Sequence, residues 1–343
     1  MRVTISGASG LLGTALVEAF AARGDELSLL SRDPEQTRKR LPRAAARAHV
    51  HPWDPLRESA PAAALAGSDA VVHLAGENIA QRWSSVAKTR IRDSRVLGTR
   101  NLVDGLRALH GQEAQALPRV LLSSSAIGYY GGRGEEPLDE DGPRGEGFLA
   151  DVCAAWEREA THACELGVRV VRMRTGVVLD AHGGALAKML PPFRLGIGGP
   201  VAGGRQYVSW IHRDDLVGIA LAALADERWS GPVNATAPAP VRNSELAHAL
   251  GEVLHRPAVL PVPALALRAL YGEMASLITS GARVVPAKAL VLGYRFAYAE
   301  LDQALRSVLS HPSVANAQQA SPASRTTDAG ARVSPGADSP RSH

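Results

Sequence analysis

The stretch "ISGASGLLG", Ile5 to Gly13, follows the short β-branched run "RVTI" and opens the helical pattern "LLGTALVEAF". Its glycines, Gly7, Gly10 and Gly13, are spaced G-x-x-G-x-x-G, a variant of the dinucleotide fingerprint. Glycine permits the tight turn, the close approach of backbone to a pyrophosphate and the tight packing of helix on strand. Gly7, Ser9, Gly10, Leu11, Leu12 and Gly13 therefore form the candidate phosphate cradle, with the free N–H groups and positive dipole end of the helix N-terminus as the anion-binding element. A plain structural turn would share the spacing; the placement between a strand and a helix favours the cradle.

Further along, "ELSLL", "AVVHLA", "RVLLSSS" and "VRVVRMRTGVV" alternate with amphipathic stretches. That alternation predicts βαβ units and an α/β fold of the Rossmann type, a doubly wound parallel sheet. With 343 residues, 45% of them hydrophobic, the chain exceeds the size at which a single core usually stops growing. The expected division is a dinucleotide-binding domain over 1–235, a small C-terminal substrate lobe over 236–310 and a tail from 311 to 343. Glycine and proline crowd residues 181–209, which are read as a loop insertion facing the site. The runs "LALRALYGEMASLIT" and "ELDQALRSVL" are read as helices of the lobe, whereas the tail lacks the apolar content that would offset chain entropy and is expected to be disordered.

A formal charge of +4 with interspersed acids and bases gives no stripe for nucleic acid. The apolar run at the N-terminus is interrupted by glycines, and no window resembles a membrane span. Two cysteines, Cys153 and Cys164, make no disulfide framework and have no metal-ligand spacing, so a reducing, cytoplasmic setting and no metal are expected.

The end of the second strand speaks to cofactor choice. An NAD site usually carries an acid there that binds the ribose hydroxyls. In "LLSRDPEQTRKR" Ser31 and Arg32 come first and Asp33 one place later. A hydroxyl followed by a guanidinium suits a 2′-phosphate, so NADP(H) is preferred over NAD(H). Arg38, Lys39 and Arg40 are either outer support or a solvated helix face.

These motifs, with "WDP" (Trp53 to Pro55), "HLAGEN" (His73 to Asn78), "SSSA" and "RTGVVL" (Arg174 to Leu179), resemble the extended short-chain dehydrogenase/reductase superfamily of NAD(P)-dependent epimerases and dehydratases. The longer strings "LAGENIAQRW", "SSSAIGYYG", "GGALAKMLPPFRLGIGGP", "SWIHRDDL" and "NATAPAPV" are similar to an epimerase-like family with a C-terminal domain of unknown function. The resemblance spans about residues 1 to 309. It implies that Asp54 lies near the adenine, that Leu74, Ala75, Gly76 and Glu77 pass beneath the pyrophosphate and ribose, and that Ser123 and Thr175 belong to the cofactor side. By superfamily analogy a homodimer and nucleotide-sugar epimerisation are further expectations.

The superfamily's reaction centre is a serine at a strand end with a Y-x-x-x-K pair on the next helix, where a positioned acid or base contributes about 10²–10⁴ in rate. That serine hydrogen-bonds the reacting carbonyl in the superfamily; Ser125 matches it and is expected to polarise the substrate carbonyl here. In "GFLADVCAAWEREA", anchoring the alignment on Glu157 puts Leu149 and Cys153 where tyrosine and lysine belong, so the pair is absent. Tyr129 and Tyr130, four and five residues after Ser125, either supply the missing proton or wall the nicotinamide cleft. Lys88 reads as a helix-surface charge and His212 as structural. Arg205 and Gln206, leaving a glycine-rich loop, suit an anionic or polyhydroxylated small-molecule substrate. The function expected is hydride transfer between NADP(H) and a small carbonyl or alcohol; the rival is an NADP(H)-binding sensor without turnover.

Overall fold

A computed structural model describes residues 1–112 and 117–310. In chain order the elements begin β1 (Arg2–Ser6), α1 (Leu11–Ala22), β2 (Glu26–Ser31), α2 (Pro34–Arg40), β3 (His49–Pro52), α3 (Ala62–Leu65), β4 (Ala70–His73) and α4 (Ser85–Gln112). They continue β5 (Val120–Ala126), β6 (Pro137–Leu138), α5 (Phe148–Thr161), β7 (Arg169–Thr175), β8 (Val177–Leu179), α6 (Gly184–Arg194), β9 (Tyr207–Val208) and β10 (Trp210–His212). The remainder is α7 (Arg213–Ala225), β11 (Gly231–Ala235), β12 (Val241–Arg242), α8 (Asn243–Leu254), α9 (Ala264–Tyr271), α10 (Ala275–Thr279), β13 (Arg283–Val284), α11 (Ala287–Val291) and α12 (Leu301–Ser310).

Seven strands pair in the order β11-β7-β5-β4-β1-β2-β3, every pairing parallel. The strands alternate their side chains between two cores. Val3, Ile5, Val72, Leu122 and Met173 join α1 and α7 through Leu16, Phe20, Leu216 and Ile219. On the other face Val71, Leu121 and Val170 meet Leu65 of α3 and Leu102 and Leu106 of α4. Chain order reverses between β1 and β4, which makes the crevice above their carboxyl ends the place where such a sheet takes a ligand. The expected doubly wound parallel sheet is the fold observed.

Two readings of local structure need amendment. Residues 184–194, taken as loop, form α6 despite Pro191 and Pro192. Leu186, Leu190 and Phe193 recur at helical spacing and bury against Leu246 and Leu250 of α8 and Leu305 of α12, and that tertiary burial outweighs the helix-breaking cost of the prolines. The run 265–279 is not one helix: Gly272, at φ +63, ends α9, and a 3₁₀ turn leads into α10. Residues 1–310 make one compact unit, with the third core shared between α6, α8, β10 and α12. The reading of 311–343 falls outside the described residues. Among the described residues no helix is long and apolar enough to cross a membrane.

Candidate dinucleotide site and the absent proton relay

The glycine loop is shaped by what surrounds it. Gly7 has φ +74, and a Cβ there would stand 2.8 Å from both Ala75 N and Leu74 C. At Gly13 a Cβ would reach 2.1 Å from Gly7 O, so only glycine lets α1 start this close to β1. No side chain caps α1, whose N-cap is Gly10, and Ser9 and Gly10 are exposed. The helix therefore presents uncapped N–H groups and its positive end to the crevice. The segment after β4 seals the far wall: Leu74 N donates to Ser6 O at 3.1 Å and Ala75 N to Ser6 Oγ at 3.4 Å. Beneath it Ser6 Oγ lies 2.6 Å from Nδ1 of His73, whose pKa burial lowers to about 4, leaving the ring neutral. A cradle whose backbone leaves no room for a side chain, at an uncapped helix N-terminus, fits a dinucleotide pyrophosphate.

At the end of β2, Asp33 is spent locally. Its carboxylate accepts Gln36 N at 2.9 Å and N-caps α2. Ser31 Oγ is 2.7 Å from Thr37 Oγ1 and accepts Asp33 N at 3.1 Å, which fixes the strand end. Arg32 is exposed and engages none of the described residues. Asp54, after β3, holds a turn by accepting Leu56 N at 3.0 Å and pairs with Arg57 at 3.3 Å. Parallel register sets Ser6 beside His73, His73 beside Ser123, and Ala126 beside Thr175, so these candidates share one edge of the sheet.

Ser125 and Tyr130 belong to a buried network that the sequence reading did not anticipate. Ser125 and Arg174 are register partners on β5 and β7, and both meet Glu157 of α5. Ser125 Oγ donates to Glu157 Oε1 at 2.7 Å, while Arg174 grips the same carboxylate through Nε at 2.8 Å and Nη2 at 2.9 Å. Arg174 Nη1 then donates to Tyr130 Oη at 2.9 Å and to Glu140 O at 3.1 Å. Burial pulls the Arg174 pKa down, but the hydrogen bonds and charge of Glu157 outweigh it and hold the guanidinium above its ordinary range. Tyr130 is fully enclosed, and its hydroxyl donates toward Asn234 Oδ1 at 2.7 Å or Asp139 O at 2.8 Å. Burial pushes its pKa up to about 12, against the pull of Arg174. Enclosed in this way, Tyr130 takes part in the buried hydrogen-bond network and presents no exposed surface. Tyr129 differs. Its ring lies 3.6 Å from the Arg174 guanidinium carbon and edge-on to Tyr130, and its hydroxyl takes no hydrogen bond from the described residues. The signal for this network was legible: an arginine between Met173 and Thr175 of a central strand needs a buried acid, and Glu157 stood in the alignment as its anchor.

On α5 the positions of the absent pair face the 3₁₀ turn after β5. A Cβ on Gly128 would lie 3.4 Å from Leu149 Cβ and 3.8 Å from Cys153 Sγ. Leu149 packs with Trp83, Phe148 and Met274. Burial pushes the Cys153 thiol up to about 12, with Glu157 adding to the rise, so it stays protonated at neutral pH and offers no thiolate. Lys88 pairs with Glu273 and lies over Phe148, joining α4 to the C-terminal segment.

Of the two substrate-side candidates, Gln206 donates its amide to Val201 O and Ile278 O, both at 3.1 Å, and fastens the loop. Arg205 is exposed and its guanidinium engages none of the described residues. His212 N-caps α7 and stacks on Tyr298 at 3.7 Å. Asp215 receives Ala297 N at 2.8 Å and Tyr298 N at 2.9 Å, clasping the C-terminal segment to α7. No cluster of acidic, histidine or cysteine side chains suited to a metal occurs among the described residues.

A doubly wound parallel sheet with a glycine cradle between β1 and α1 defines a dinucleotide-binding protein. The chain belongs to the NAD dependent epimerase/dehydratase family, whose profile matches residues 3–234, and residues 262–308 match the Domain of unknown function (DUF1731). An Arabidopsis thaliana protein described as an epimerase family protein SDR39U1 homolog, chloroplastic, is 40% identical over 90% of this chain and 87% of its own length. The crystal structure of the human epimerase family protein SDR39U1 (isoform 2) with NADPH is 34% identical, covers 91% of this chain and 100% of that chain, and superposes with a TM-score of 0.78. A nucleoside-diphosphate sugar epimerase from Corynebacterium glutamicum is 33% identical, covering 93% of this chain and 60% of that one, with a TM-score of 0.68.

Proposed function

We propose that this chain binds NADP(H) in preference to NAD(H) and exchanges hydride between it and a small carbonyl or alcohol, with Tyr129 as the proton-bearing group and Arg205 on the substrate side. The observation that carries the cofactor preference is the end of β2: Asp33, the acid nearest the place where an NAD site binds ribose hydroxyls, is consumed as a helix cap, while the Arg32 guanidinium is exposed and without a partner among the described residues. The similar human protein crystallised with NADPH is consistent with this preference. Gly7, Ser9, Gly10, Leu11, Leu12 and Gly13 would hold the pyrophosphate, Ser31 and Arg32 the 2′-phosphate, Asp54 the adenine side, and Leu74 to Glu77, Ser123 and Thr175 the remainder. When bound, the nicotinamide supplies or accepts the hydride. Ser125, donating to Glu157, supports the strand end from beneath, and the Tyr129 hydroxyl, beside the Arg174 charge, takes no hydrogen bond from the described residues.

A second reading, an NADP(H)-holding sensor without turnover, draws on Leu149 and Cys153, which bring no acid or base to the helix where the superfamily keeps its pair. One set of measurements decides between them. The parent protein, Arg32→Ala and Tyr129→Phe are titrated with NADPH and NADH and then assayed against a carbonyl panel by loss of reduced-nicotinamide absorbance. Preference for NADPH should vanish in Arg32→Ala; equal affinity for both in the parent refutes the phosphate argument. Turnover should fall by about 10²-fold or more in Tyr129→Phe. Tight NADPH binding with no turnover above a cofactor-only control leaves the sensor reading.

A further inference from the structure

The charge missing from α5 has a counterpart on its neighbour. Arg95, in the third turn of α4, reaches toward the segment after β4: its Nη1 donates to Glu77 O at 3.0 Å and to Ile91 O at 3.1 Å. The guanidinium carbon would be 3.2 Å from a Cβ on Gly76, so Gly76 is glycine where this cation passes. Its other flank lies over Trp156 of α5, at 5.2 Å, and the group is close enough to Cys153 for each to perturb the other. Arg95 thus stands between the β4 loop and the part of α5 where lysine is absent.

Its bonding is incomplete in a way that Arg174's is not. Arg174 spends its donors on Glu157, Tyr130 and Glu140. Arg95 has no carboxylate within 4 Å among the described residues, and its Nε and Nη2 donate to none of them. The Glu77 carboxylate acts on it only at longer range, being held by Gln81 Nε2 at 3.1 Å. Burial lowers the Arg95 pKa, a cost that a half-buried cation recovers when acceptors meet its remaining N–H groups. Position says which acceptors. Gly7 to Gly13 and Arg32 occupy the β1–β2 side of the switch point, which takes one half of a dinucleotide; Arg95 lies on the β4–β5 side, which takes the other.

We infer that Arg95 holds the hydroxyls of the nicotinamide-side ribose of NADP(H), a cation supplied by α4 in place of the lysine that α5 lacks. The inference rests on the NADP(H) reading above, and its test separates the two. Two ligands are titrated calorimetrically: NADPH, and 2′-phospho-ADP, which retains the 2′-phosphate and pyrophosphate but has no second ribose. Arg95→Met keeps the stem against Trp156 and removes the donors; Arg95→Lys keeps the charge. Arg95→Met should weaken NADPH binding about tenfold and leave 2′-phospho-ADP within twofold, with Arg95→Lys between Met and parent. Arg32→Ala should weaken both ligands alike. Unchanged NADPH affinity in Arg95→Met, or equal loss of both ligands, overturns the inference while leaving the NADP(H) site standing. A parent protein that binds neither ligand overturns the site itself. Should Arg95→Met fail to fold, as judged by near-UV circular dichroism, Arg95→Lys carries the decision: NADPH affinity equal to the parent with 2′-phospho-ADP unchanged, or equal loss of both ligands, overturns the assignment, and selective loss of NADPH supports it.

Discussion

Replacing Glu157 by Gln should cost about 3–5 kcal/mol of folding stability, the range for removing one partner of a buried ion pair. The carboxylate is 3% exposed and takes three strong donors, Ser125 Oγ at 2.7 Å, Arg174 Nε at 2.8 Å and Arg174 Nη2 at 2.9 Å. Arg172, at 3.6 Å, adds a second positive charge. The amide can keep an oxygen toward one donor, but its NH₂ then faces another donor. Arg174, also 3% exposed, is left with an uncompensated charge whose other partners are Tyr130 Oη and Glu140 O. Urea unfolding followed by tryptophan fluorescence measures the loss. A double-mutant cycle with Arg174→Met isolates the pairwise part, expected at about 2 kcal/mol or more, since residues in one network do not add. Ser125→Ala, which removes one hydrogen bond to a charged group, should cost about 1.5–3 kcal/mol. A Glu157→Gln loss below about 1 kcal/mol refutes the stabilising network. A Ser125→Ala variant as stable as the parent but devoid of turnover restores Ser125 to the reacting carbonyl.

Two further outcomes follow from buried titratable groups. His73 is held neutral in the fold down to about pH 4, whereas in the unfolded chain it takes up a proton near its ordinary value of 6.5. Between those values the unfolded state binds the extra proton, so stability is full above about pH 6.5 and falls toward pH 4, by about 3 kcal/mol for this side chain. His212, also lowered by burial, adds to the same slope. Unfolding free energies at several pH values should flatten in His73→Gln; an unchanged slope refutes the assignment. For the cysteines, Cys164 is exposed and Cys153 is buried with its thiol raised to about 12. A thiol reagent should therefore label one cysteine quickly in the native protein and the second only on unfolding, and rapid native labelling of both would refute the inert role of Cys153.

The sheet was readable because it is written locally. The central strands carry short apolar runs buried on both faces, as in "AVVH" of β4, and a glycine at φ +74 or a Cβ clash with Gly7 O leaves the G-x-x-G-x-x-G spacing little other use. The residues that escaped are those whose role depends on a partner far along the chain. Ser125 reads as a reacting hydroxyl in the sequence, which does not show that β7 and α5 bring Arg174 and Glu157 to it. Tyr130 reads as a proton donor or cleft wall in the sequence, and only the fold brings Asn234, distant along the chain, within hydrogen-bonding reach of its hydroxyl. Arg95 looks like one more basic residue on a charged helix, because nothing in "DSRVLGTR" records that the chain packs it on Trp156 and beneath Gly76. Prolines misled in the opposite direction, since α6 is held by a face that its own sequence pattern announced.

These placements change what the missing Y-x-x-x-K pair means. Its loss could have left an uncharged, apolar wall beside the nicotinamide half, and Leu149 with Trp83, Phe148 and Met274 does make one. On the Arg95 proposal the charge would be relocated rather than deleted: Arg95 enters from α4 beside Cys153, with Nε and Nη2 donating to none of the described residues, whereas the phenol on α5 has no replacement at its own position. Cofactor holding and proton transfer would thereby be uncoupled. A half-buried cation with no carboxylate within reach among the described residues costs desolvation energy, which a ligand offering acceptors to its remaining N–H groups would offset. If Arg95 holds the nicotinamide-side ribose as proposed, the question of turnover falls to Tyr129, whose hydroxyl takes no hydrogen bond from the described residues and lies beside the Arg174 guanidinium.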